Sequence, residues 1–431
     1  MKNNVEQLTV KKNLCTSCGI CKAVCPKDCI EFKRFYGQYV PHIISNKCID
    51  CGTCLDICPG YQVKIEKFYM DANMPMPDDI YIGHYDDCYN SYARDGGVQK
   101  NSASGGCITS IVNKLLEEEL YNRAFLVGGY SYDDYIGTCS YQKGDSLKDT
   151  MGSRYIPISH YEMIKHVLIN RNDKIIIIGT SCVIHGFLNV VSKFKLKRDN
   201  YLILGLFCER IFNYNVYNYF SKYGNPNSKL EKLHFKTKEN YCWPGRVKLE
   251  YLNGECRYLP ASERVILKDF FQLERCLYCI DKLNQFADIS LGDNYTGKNN
   301  HEMGSNSIIV RTKKGSVIWD YVNDLFVNSK ASINDICRSQ YIYAKIENLQ
   351  FASVLKDKSK IDLYPDLPLQ KVNSNIHAVL INKLNAIELG RDFDKRKFKL
   401  LSKIKLIKIK NLVHVFLSRC KQNIIKRFKK S

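Results

Sequence analysis

The sequence lacks any long hydrophobic run. Of its 431 residues, 45% are hydrophobic, but the isoleucine run Ile175–Ile178 stops at Gly179, and no stretch reaches the roughly 18 apolar residues of a membrane span. The N-terminal segment Met1–Val10 is polar and has no apolar centre, so it does not resemble a secretory signal peptide. These absences predict a cytoplasmic chain whose thiols stay reduced.

Two nucleotide-binding signatures are missing from the chain, and acidic residues are missing from its segment 395–431. Neither a GxGxxG dinucleotide fingerprint nor a P-loop occurs. Residues 395–431 contain no Asp or Glu but 14 Lys and Arg, so residues 1–394 carry only +6 of the net +20. A basic footprint over the whole fold is therefore not expected, and we predict no nucleic-acid partner.

Cysteine, in contrast, is abundant, with 20 residues. Secreted disulfide scaffolds are short, so clustered cysteines in a chain of this length indicate metal or redox chemistry. One spacing, C-x-x-C-x-x-C-x-x-x-C-P, occurs twice near the N-terminus: at Cys15, Cys18, Cys21, Cys25 and Pro26, and at Cys48, Cys51, Cys54, Cys58 and Pro59.

A repeated motif of this type supplies the thiolates of two [4Fe-4S] clusters, with the fourth ligand of each cluster coming from the other motif. The spacing predicts a first cysteine set of Cys15, Cys18, Cys21 and Cys58 and a second cysteine set of Cys25, Cys48, Cys51 and Cys54. A pair of zinc sites is the alternative, because four cysteines also suit zinc. Cys29 falls outside the pattern and is expected to be a packed side chain. Residues 10–65 resemble the bacterial-type two-cluster ferredoxin domain.

The composition predicts five segments. They are a ferredoxin-type domain at 1–67, a linker at 68–80, an α/β domain at 81–330, a helical or irregular region at 331–394, and a basic amphipathic tail at 395–431. In the α/β domain an amphipathic helix follows Gly105, and short continuous apolar runs predict strands of a sheet covered on both faces. These runs are Ala124–Gly128, Lys174–Ile178, Tyr201–Phe207, Ala287–Leu291 and Ser307–Val310.

Four further cysteines make a third candidate set. Cys182 and Cys208 each follow a predicted strand, and ligands collect outside the carboxyl ends of strands in open α/β sheets. With the later pair Cys276 and Cys279 they form the third cysteine set, a candidate third cluster site. Burial of Cys182 and Cys208 as small apolar side chains is the alternative.

A helix start suited to phosphate precedes the amphipathic helix. Ser102 and Ser104 can cap its first turn, and Gly105 and Gly106 let a ligand approach the backbone. A plain capped helix is the alternative. Arg154 could add a cation to such a site, although an exposed arginine needs no ligand.

These features occur in an order that resembles the coenzyme F420 hydrogenase/dehydrogenase beta-subunit family of iron–sulfur flavoproteins. The resemblance spans roughly residues 10–320. The matching segments are Val98–Gly106, Gly152–Tyr155, Gly179–Cys182, Cys208, Cys276–Cys279 and Ala287–Asp293.

The resemblance implies an α/β domain that binds FAD beside a [4Fe-4S] cluster. The third cysteine set would hold that cluster, and Ser102, Ser104, Gly105, Gly106 and Arg154 would contact the flavin. The implied activity is that of an oxidoreductase, which relays electrons from a ferredoxin or other redox protein through the clusters to FAD and an organic acceptor. Relatives of this length often accompany polysaccharide-assembly enzymes. A non-catalytic electron-transfer subunit of a larger complex is the alternative.

Three departures from the family pattern fall beside the expected acceptor face. Ser181 and Val183 flank Cys182 where Pro and Gln are usual, Glu209 and Arg210 follow Cys208 where His and Gly are usual, and Asn294–Gly297 replaces an aromatic and Trp-Gly. The substrates of known members are therefore not carried over, coenzyme F420 included. His185 and Asp293 are the nearest polar candidates for a proton donor, and structural roles are the alternative for both.

The basic tail mixes Lys and Arg with apolar residues, and Ile404, Ile407, Leu412 and Val415 are predicted to share one helical face. Such a helix lies on anionic lipid, which would place the protein at the inner face of the membrane. An acidic partner such as a ferredoxin, or simple packing against the fold, are the alternatives.

Overall fold

The structure is a computed structural model that describes residues 4–129, 135–221, 228–369 and 372–428, with side chains described as far as Val413. Val415 of the predicted tail face therefore lies outside the described side chains. Thirteen strands occur in the described residues: β1 Ile30–Phe35, β2 Gln38–Ile43, β3 Asp87–Ala93, β4 Arg123–Val127, β5 Thr138–Tyr141, β6 Ile175–Thr180, β7 Tyr201–Leu206, β8 Leu230–Thr237, β9 Arg246–Tyr251, β10 Cys256–Leu259, β11 Ile289–Asp293, β12 Asn306–Val310 and β13 Phe326–Lys330.

Fourteen α-helices are present in the same residues: α1 Ile20–Ala23, α2 Thr53–Asp56, α3 Ile65–Asp71, α4 Gly96–Asn101, α5 Cys107–Glu117, α6 Tyr161–Ile169, α7 Ser181–Lys193, α8 Asn215–Ser221, α9 Ala261–Phe271, α10 Lys313–Val322, α11 Ile333–Ser339, α12 Lys345–Ser359, α13 Ser374–Arg391 and α14 Phe393–Phe428. Among the shorter turns, a 3-10 helix at Glu274–Tyr278 carries Cys276.

An eight-stranded sheet forms the centre of the molecule, in the order β13-β3-β12-β11-β7-β6-β4-β5. Strands β4, β6, β7 and β11 run parallel, and the outer strands pair antiparallel. Ile175 and Ile177 of β6 point into one hydrophobic core and Ile176 into another. The apolar runs seen in the sequence are thus covered on both faces, which makes this a mixed α/β fold.

The parallel strands end at one edge of this sheet. Strand β6 ends at Thr180, β7 at Leu206 and β11 at Asp293. Because parallel strands point the same way, the residues that follow them meet at this edge. Cys182 and Cys208 come two residues after their strands, so the fold collects the chemistry of the α/β domain there.

A second sheet, absent from the sequence-based prediction, is separate from the first. Strands β10-β9-β8 form an antiparallel three-stranded sheet. Its inner face, with Val247 and Leu249, packs into a hydrophobic core that also includes Phe271 of α9 and Leu400 of α14. This sheet places Lys236 of β8 near the carboxyl end of β11.

The ferredoxin-type domain, residues 1–67, which we call the ferredoxin-type module, packs directly on the α/β domain. Ile20 of α1 and Ile57 share one core with Val183, Ile184 and Phe187 of α7. Contact is so close at Gly186 that a Cβ there would lie 2.7 Å from Ile20 Cδ1 and 3.3 Å from Pro59 Cδ. The two motifs are thereby brought against the helix that carries Cys182.

Two segments differ from their predicted character. Helix α3 enters the predicted linker 68–80, and Phe68 and Tyr69 are buried in it. The start of that segment is therefore a packed helix, because the helix buries these two aromatic side chains in a hydrophobic core. In α14, Leu400 and Ile404 are buried and Ile407 packs against the same core, so the predicted lipid face containing Ile404 and Ile407 is wrong.

Candidate iron–sulfur centre

The first cysteine set converges beneath α1. Burial raises the pKa of the Cys21 thiol well above its usual value, and the neighbouring thiolates of Cys18, Cys58 and Cys15 raise it further. Gly19, with φ of 77°, begins α1 in the left-handed region, a conformation that glycine adopts without strain. The structure therefore brings together the four thiols that the spacing had grouped.

The second cysteine set repeats this geometry nearer the surface. Gly52 begins α2 with φ of 75°, and Cys25, Cys48, Cys51 and Cys54 line one cavity. Burial raises the pKa of the Cys54 thiol, and Cys51, Cys25 and Cys48 add to the shift. Cys51 is exposed, so this site reaches solvent.

Cys29 lies closer to the second set than a plain packing role requires. Its Sγ is 3.4 Å from Cys25 Sγ, and it lines the same cavity. The residue is buried, as expected from the sequence. Its thiol can donate a hydrogen bond to a Cys25 thiolate.

The third cysteine set meets at the carboxyl edge of the parallel sheet. Burial raises the pKa of the Cys208 thiol well above its usual value, and Cys276, Cys182 and Cys279 all raise it further. Two strand ends and the 3-10 turn at Glu274–Tyr278 thus deliver four free thiols to one place.

The first and third sets are neighbours. Burial raises the pKa of the Cys182 thiol to about 12, and besides Cys279 and Cys276 the Cys18 thiolate contributes to the shift. Cys18 belongs to the ferredoxin-type module, so the module docks with its buried site facing the third set. Among the described residues, no group of three or more His, Cys, Asp or Glu is arranged to hold a single metal ion; an iron–sulfur cube keeps its four thiolates farther apart than one ion does.

A charged group lies beside the third set. Glu209, directly after Cys208, is 2.6 Å from Lys282 Nζ and 3.3 Å from Lys345 Nζ. Burial would raise the pKa of Glu209, but Lys345, Lys282 and Arg210 lower it to about 2. The departure from the family pattern at residue 209 is therefore matched by lysines from distant parts of the chain.

A second polar group stands at the end of β11. Asp293 Oδ2 is 2.6 Å from Lys236 Nζ and 3.1 Å from the Tyr295 hydroxyl. The Lys236 side chain is 1% exposed, and its ammonium lies 5.5 Å from the Trp243 ring centre. Burial would raise the pKa of Asp293, but Lys236 and the hydrogen bonds it receives hold the pKa below its usual value.

The residues expected to contact FAD are largely engaged within the protein. Ser104 Oγ donates to the Ser305 carbonyl at 2.8 Å. Gly105 faces Asn306 and Ser91 so closely that a Cβ would come within 2.9 Å of both. The Arg154 guanidinium donates to carbonyls of its own loop, including Thr150 and Met151.

Two features of that helix start remain open to a ligand. Ser102 Oγ is buried without a hydrogen-bond partner among the described residues. Gly106 begins α5 with φ of 83° and no side-chain cap. FAD at these five residues stays a prediction.

His185, one of the two proton-donor candidates, is part of the core. Its Nε2 is 2.9 Å from Asp281 Oδ2, with both side chains nearly inaccessible. Phe68 and Phe286 pack against the ring. This arrangement favours a structural role for His185 and leaves Asp293 as the candidate that faces the sheet edge.

Sequence reasoning missed Lys236, Lys345 and Arg275. Lys236 lies in β8, whose partner strand β9 alternates apolar residues at Val247, Leu249 and Tyr251, a pattern that signals a half-buried strand. That alternation could have revealed the second sheet. Nothing local to Lys345 or Arg275 indicates that either side chain is buried.

Comparison with known proteins agrees with this arrangement. Residues 172–332 match the family described as the C terminus of the coenzyme F420 hydrogenase/dehydrogenase beta subunit. Residues 14–64 match the 4Fe-4S dicluster domain. The resemblance inferred from the sequence is confirmed.

Two curated relatives come from Methanocaldococcus jannaschii. A coenzyme F420-dependent sulfite reductase is 28% identical over 330 residues, covering 73% of this chain and 46% of the relative. An uncharacterized protein is 24% identical over 237 residues, covering 50% of this chain and 58% of that protein. The chain thus spans about half the length of these relatives.

A solved structure shares the fold. It is a chain of the xenon-derivatised F420-reducing [NiFe] hydrogenase complex from Methanosarcina barkeri, with a TM-score of 0.51 and 20% identity over 68% of this chain and 99% of that chain.

In the described part of this protein, no helix is both long and apolar enough to cross a bilayer.

Proposed function

We propose that this chain is an oxidoreductase that relays electrons through three [4Fe-4S] clusters to an organic acceptor. Residues 172–332 match the family of C-terminal domains of coenzyme F420 hydrogenase/dehydrogenase beta subunits, and residues 14–64 match the 4Fe-4S dicluster domain. The three cysteine sets would hold the clusters, each of which carries one electron at a time. Twelve free thiols in three groups of four fit this cofactor.

The observation that carries the proposal is the spatial order of the three cysteine sets, from the solvent to the edge of the parallel sheet. The second set is open to solvent at Cys51, the first is buried behind it, and Cys18 of the first acts electrostatically on Cys182 of the third. An external redox protein would deliver electrons at Cys51, and the order of the sets would lead them to the edge of the parallel sheet.

The acceptor would bind at that edge, between the third set and the group formed by Lys236, Asp293 and Tyr295. The surroundings are basic: burial lowers the pKa of Lys268, and Arg210 and Arg264 lower it further. An anionic two-electron carrier fits such a site. The named relatives are F420-dependent or F420-reducing, so a deazaflavin of the F420 type is the acceptor to test first, ahead of FAD.

In this function the chain's own residues bind and orient the acceptor. The basic side chains of Arg210, Arg264 and Lys268 would attract its negative groups. Tyr295 donates its hydroxyl proton to Asp293, so its oxygen would accept a hydrogen bond at the sheet edge. Cys182 of the third set packs against a hydrophobic core, which would limit the access of bulk water to that thiol.

Anaerobic purification with assays of iron, sulfide and flavin tests the cluster count. About twelve irons per chain are expected, and Cys279→Ser should reduce this to about eight. Cys256→Ser is the matched control, because Cys256 is exposed on β10 outside all three sets. Eight irons in the unaltered protein would remove the third cluster, and a colourless preparation would overturn the redox function.

An assay of acceptor reduction distinguishes an enzyme with its own active site from an electron-transfer subunit. The purified chain, reduced by dithionite, is mixed with oxidised coenzyme F420 or with FAD, and the acceptor spectrum is followed. Reduction of either by the isolated chain supports an active site of its own. Reduction of neither, with all clusters present, favours a subunit that feeds another enzyme.

The tail offers a surface for membrane attachment. Phe398, Leu406, Ile409, Leu412 and Val413 are all at least 47% exposed, and at about 100° per residue they fall on one face of α14. That face is opposite Leu400 and Ile404, which pack on the core. Because lysines flank it, an anionic lipid surface at the cytoplasmic side is the partner proposed for it.

A further inference from the structure

Arg275 is a buried cation between two of the cysteine sets. It lies next to Cys276 in the 3-10 turn and is 3% exposed. Its Nη2 donates to the carbonyl of Pro59 at 3.1 Å, and Pro59 directly follows Cys58 of the first set. One end of the guanidinium is therefore fixed to the ferredoxin-type module.

The rest of the guanidinium has no protein acceptor. Nε and Nη1 are buried and have no partner within hydrogen-bond geometry among the described residues. The Tyr364 hydroxyl lies near the guanidinium, but it already donates to the Tyr278 carbonyl and accepts from the Ile280 N–H. Burial of a charged donor without an acceptor is unfavourable, because the donor loses its hydrogen bonds to water and gains none in return. An acceptor other than a protein oxygen would remove that cost.

The charge is also uncompensated by a carboxylate. None of the ion pairs found in the described residues includes Arg275, and the neighbouring Glu274 pairs with Arg391. Arg275 instead directly precedes Cys276 in the 3-10 turn that Cys279 ends, so its backbone lies at the third set. Lys345, a second buried cation at this edge, has a carboxylate partner in Glu209, which Arg275 lacks among the described ion pairs.

We propose that Arg275 is a positioning residue of the relay, which donates its Nε and Nη1 hydrogen bonds to sulfur atoms of the cluster held by the third set and so raises the reduction potential of that cluster. The inference rests on the third cluster of the proposed function. Hydrogen bonds to the sulfurs and nearby positive charge stabilise the reduced, more negative cluster. One electron lost by the cluster of the first set is then gained by the third.

The planar arrangement of the guanidinium N–H groups affects the reduction potential as well as the positive charge does. Arginine presents several N–H groups in one plane, whereas lysine presents a compact ammonium on a flexible stem. With Nη2 bound to the Pro59 carbonyl, the guanidinium plane is fixed relative to both sets. Lysine at this position would keep the charge and lose the fixed pair of donors.

The test is a redox titration of the full-length holoprotein, followed by electron paramagnetic resonance. Wild type, Arg275→Gln, Arg275→Lys and Arg198→Gln are compared, and Cys279→Ser identifies the signal of the third cluster. Arg198, which pairs with Asp288, is the control for losing one positive charge. It lies just before β7, and Cys208 follows the other end of that strand. Each preparation is first assayed for iron.

We expect Arg275→Gln to lower the equilibrium constant for reducing the third cluster about tenfold, which is about 59 mV for one electron. Arg275→Lys should lower it less, and Arg198→Gln should leave it unchanged. Twelve irons with an unshifted potential in both Arg275 variants would overturn the role of Arg275 alone. Should Arg275→Gln fail to fold, a wild-type potential in Arg275→Lys would overturn the proposed hydrogen bonds. Eight irons in wild type would instead overturn the third cluster itself.

Discussion

The ammonium of Lys236 and the carboxylate of Asp293 lie 2.6 Å apart and join the two sheets of the α/β domain. Lys236 comes from the antiparallel sheet and Asp293 from the end of the parallel strands. Since the Lys236 side chain is 1% exposed, removing its partner leaves an unpaired buried charge. Asp293→Asn should therefore destabilise the protein by about 3 kcal/mol, measured by anaerobic urea unfolding.

The double variant Lys236→Met with Asp293→Asn is the matched control. Without either charge, most of the lost stability should return, because no ion is left buried. If the single and double variants unfold at the same urea concentration, an unpaired Lys236 ammonium costs no stability, and the buried charge is not the cause of the loss.

Cys29 and Cys54 should respond differently to replacement. Both line the cavity of the second set, but only Cys54 belongs to the repeated motif. Cys54→Ser is expected to lose about four irons per chain, whereas Cys29→Ser should keep them all and shift only the redox potential of that cluster. Iron and sulfide assays after anaerobic purification measure both.

The close approach of Cys29 and Cys25, with sulfur atoms 3.4 Å apart, makes an exchange of ligands the competing result. In that case Cys25→Ser would retain its irons and Cys29→Ser would lose them. Such an outcome would contradict the assignment of the second set from the motif spacing.

His234 on β8 should make stability depend on pH. Burial lowers the pKa of His234 below its usual 6.5, and Glu250, 3.1 Å away, opposes this only in part. Below about pH 6.5 the unfolded chain therefore binds the proton more readily than the folded one, and stability falls as the pH drops. The loss is about 1.4 kcal/mol for each unit by which the pKa is lowered.

His234→Gln should flatten this part of the pH profile, measured as urea midpoints between about pH 5.5 and 8. At about pH 8 the histidine is neutral in both states, so that point serves as the internal reference. An equally steep acid loss in the variant would assign the effect to other groups.

The cysteine sets could be grouped from sequence because the chemistry is local. The C-x-x-C-x-x-C spacing places three thiols on one short loop, so the first and second sets follow from the motif alone. Cys182 and Cys208 could be placed because each follows an apolar run that ends at the same edge of the sheet. Their meeting with Cys276 depends on a turn whose position no local pattern indicates.

What the sequence could not show are the partners of buried charges. Glu209 is compensated by Lys282 and Lys345, residues far along the chain that converge only in the folded protein. Arg275 likewise gives no sign in the sequence that it is buried. The same limit explains the tail: a count of apolar residues cannot tell which of two apolar faces of α14 packs on the core.

The exposed face of α14 should decide whether the tail binds lipid. Replacing Leu406, Ile409 and Leu412 with Gln removes three apolar side chains that are at least 47% exposed, and it leaves every lysine and the packed Ile404 in place. If this face inserts among lipid headgroups, each lost side chain weakens binding by about 1.5 kcal/mol or more. The three losses together come to about 4.5 kcal/mol, so the affinity for vesicles containing phosphatidylglycerol, measured by co-sedimentation, should fall about a thousandfold.

Two controls separate lipid binding from other effects of the tail. Ile169, Leu252 and Val265 are equally exposed elsewhere on the protein, and their replacement with Gln should leave sedimentation unchanged. Neutral phosphatidylcholine vesicles should bind the wild type far less, because each basic residue near an anionic surface contributes about 1 kcal/mol. Equal sedimentation of wild type and the α14 variant would exclude lipid as the partner of this face and would favour an acidic redox protein attracted by the lysines alone.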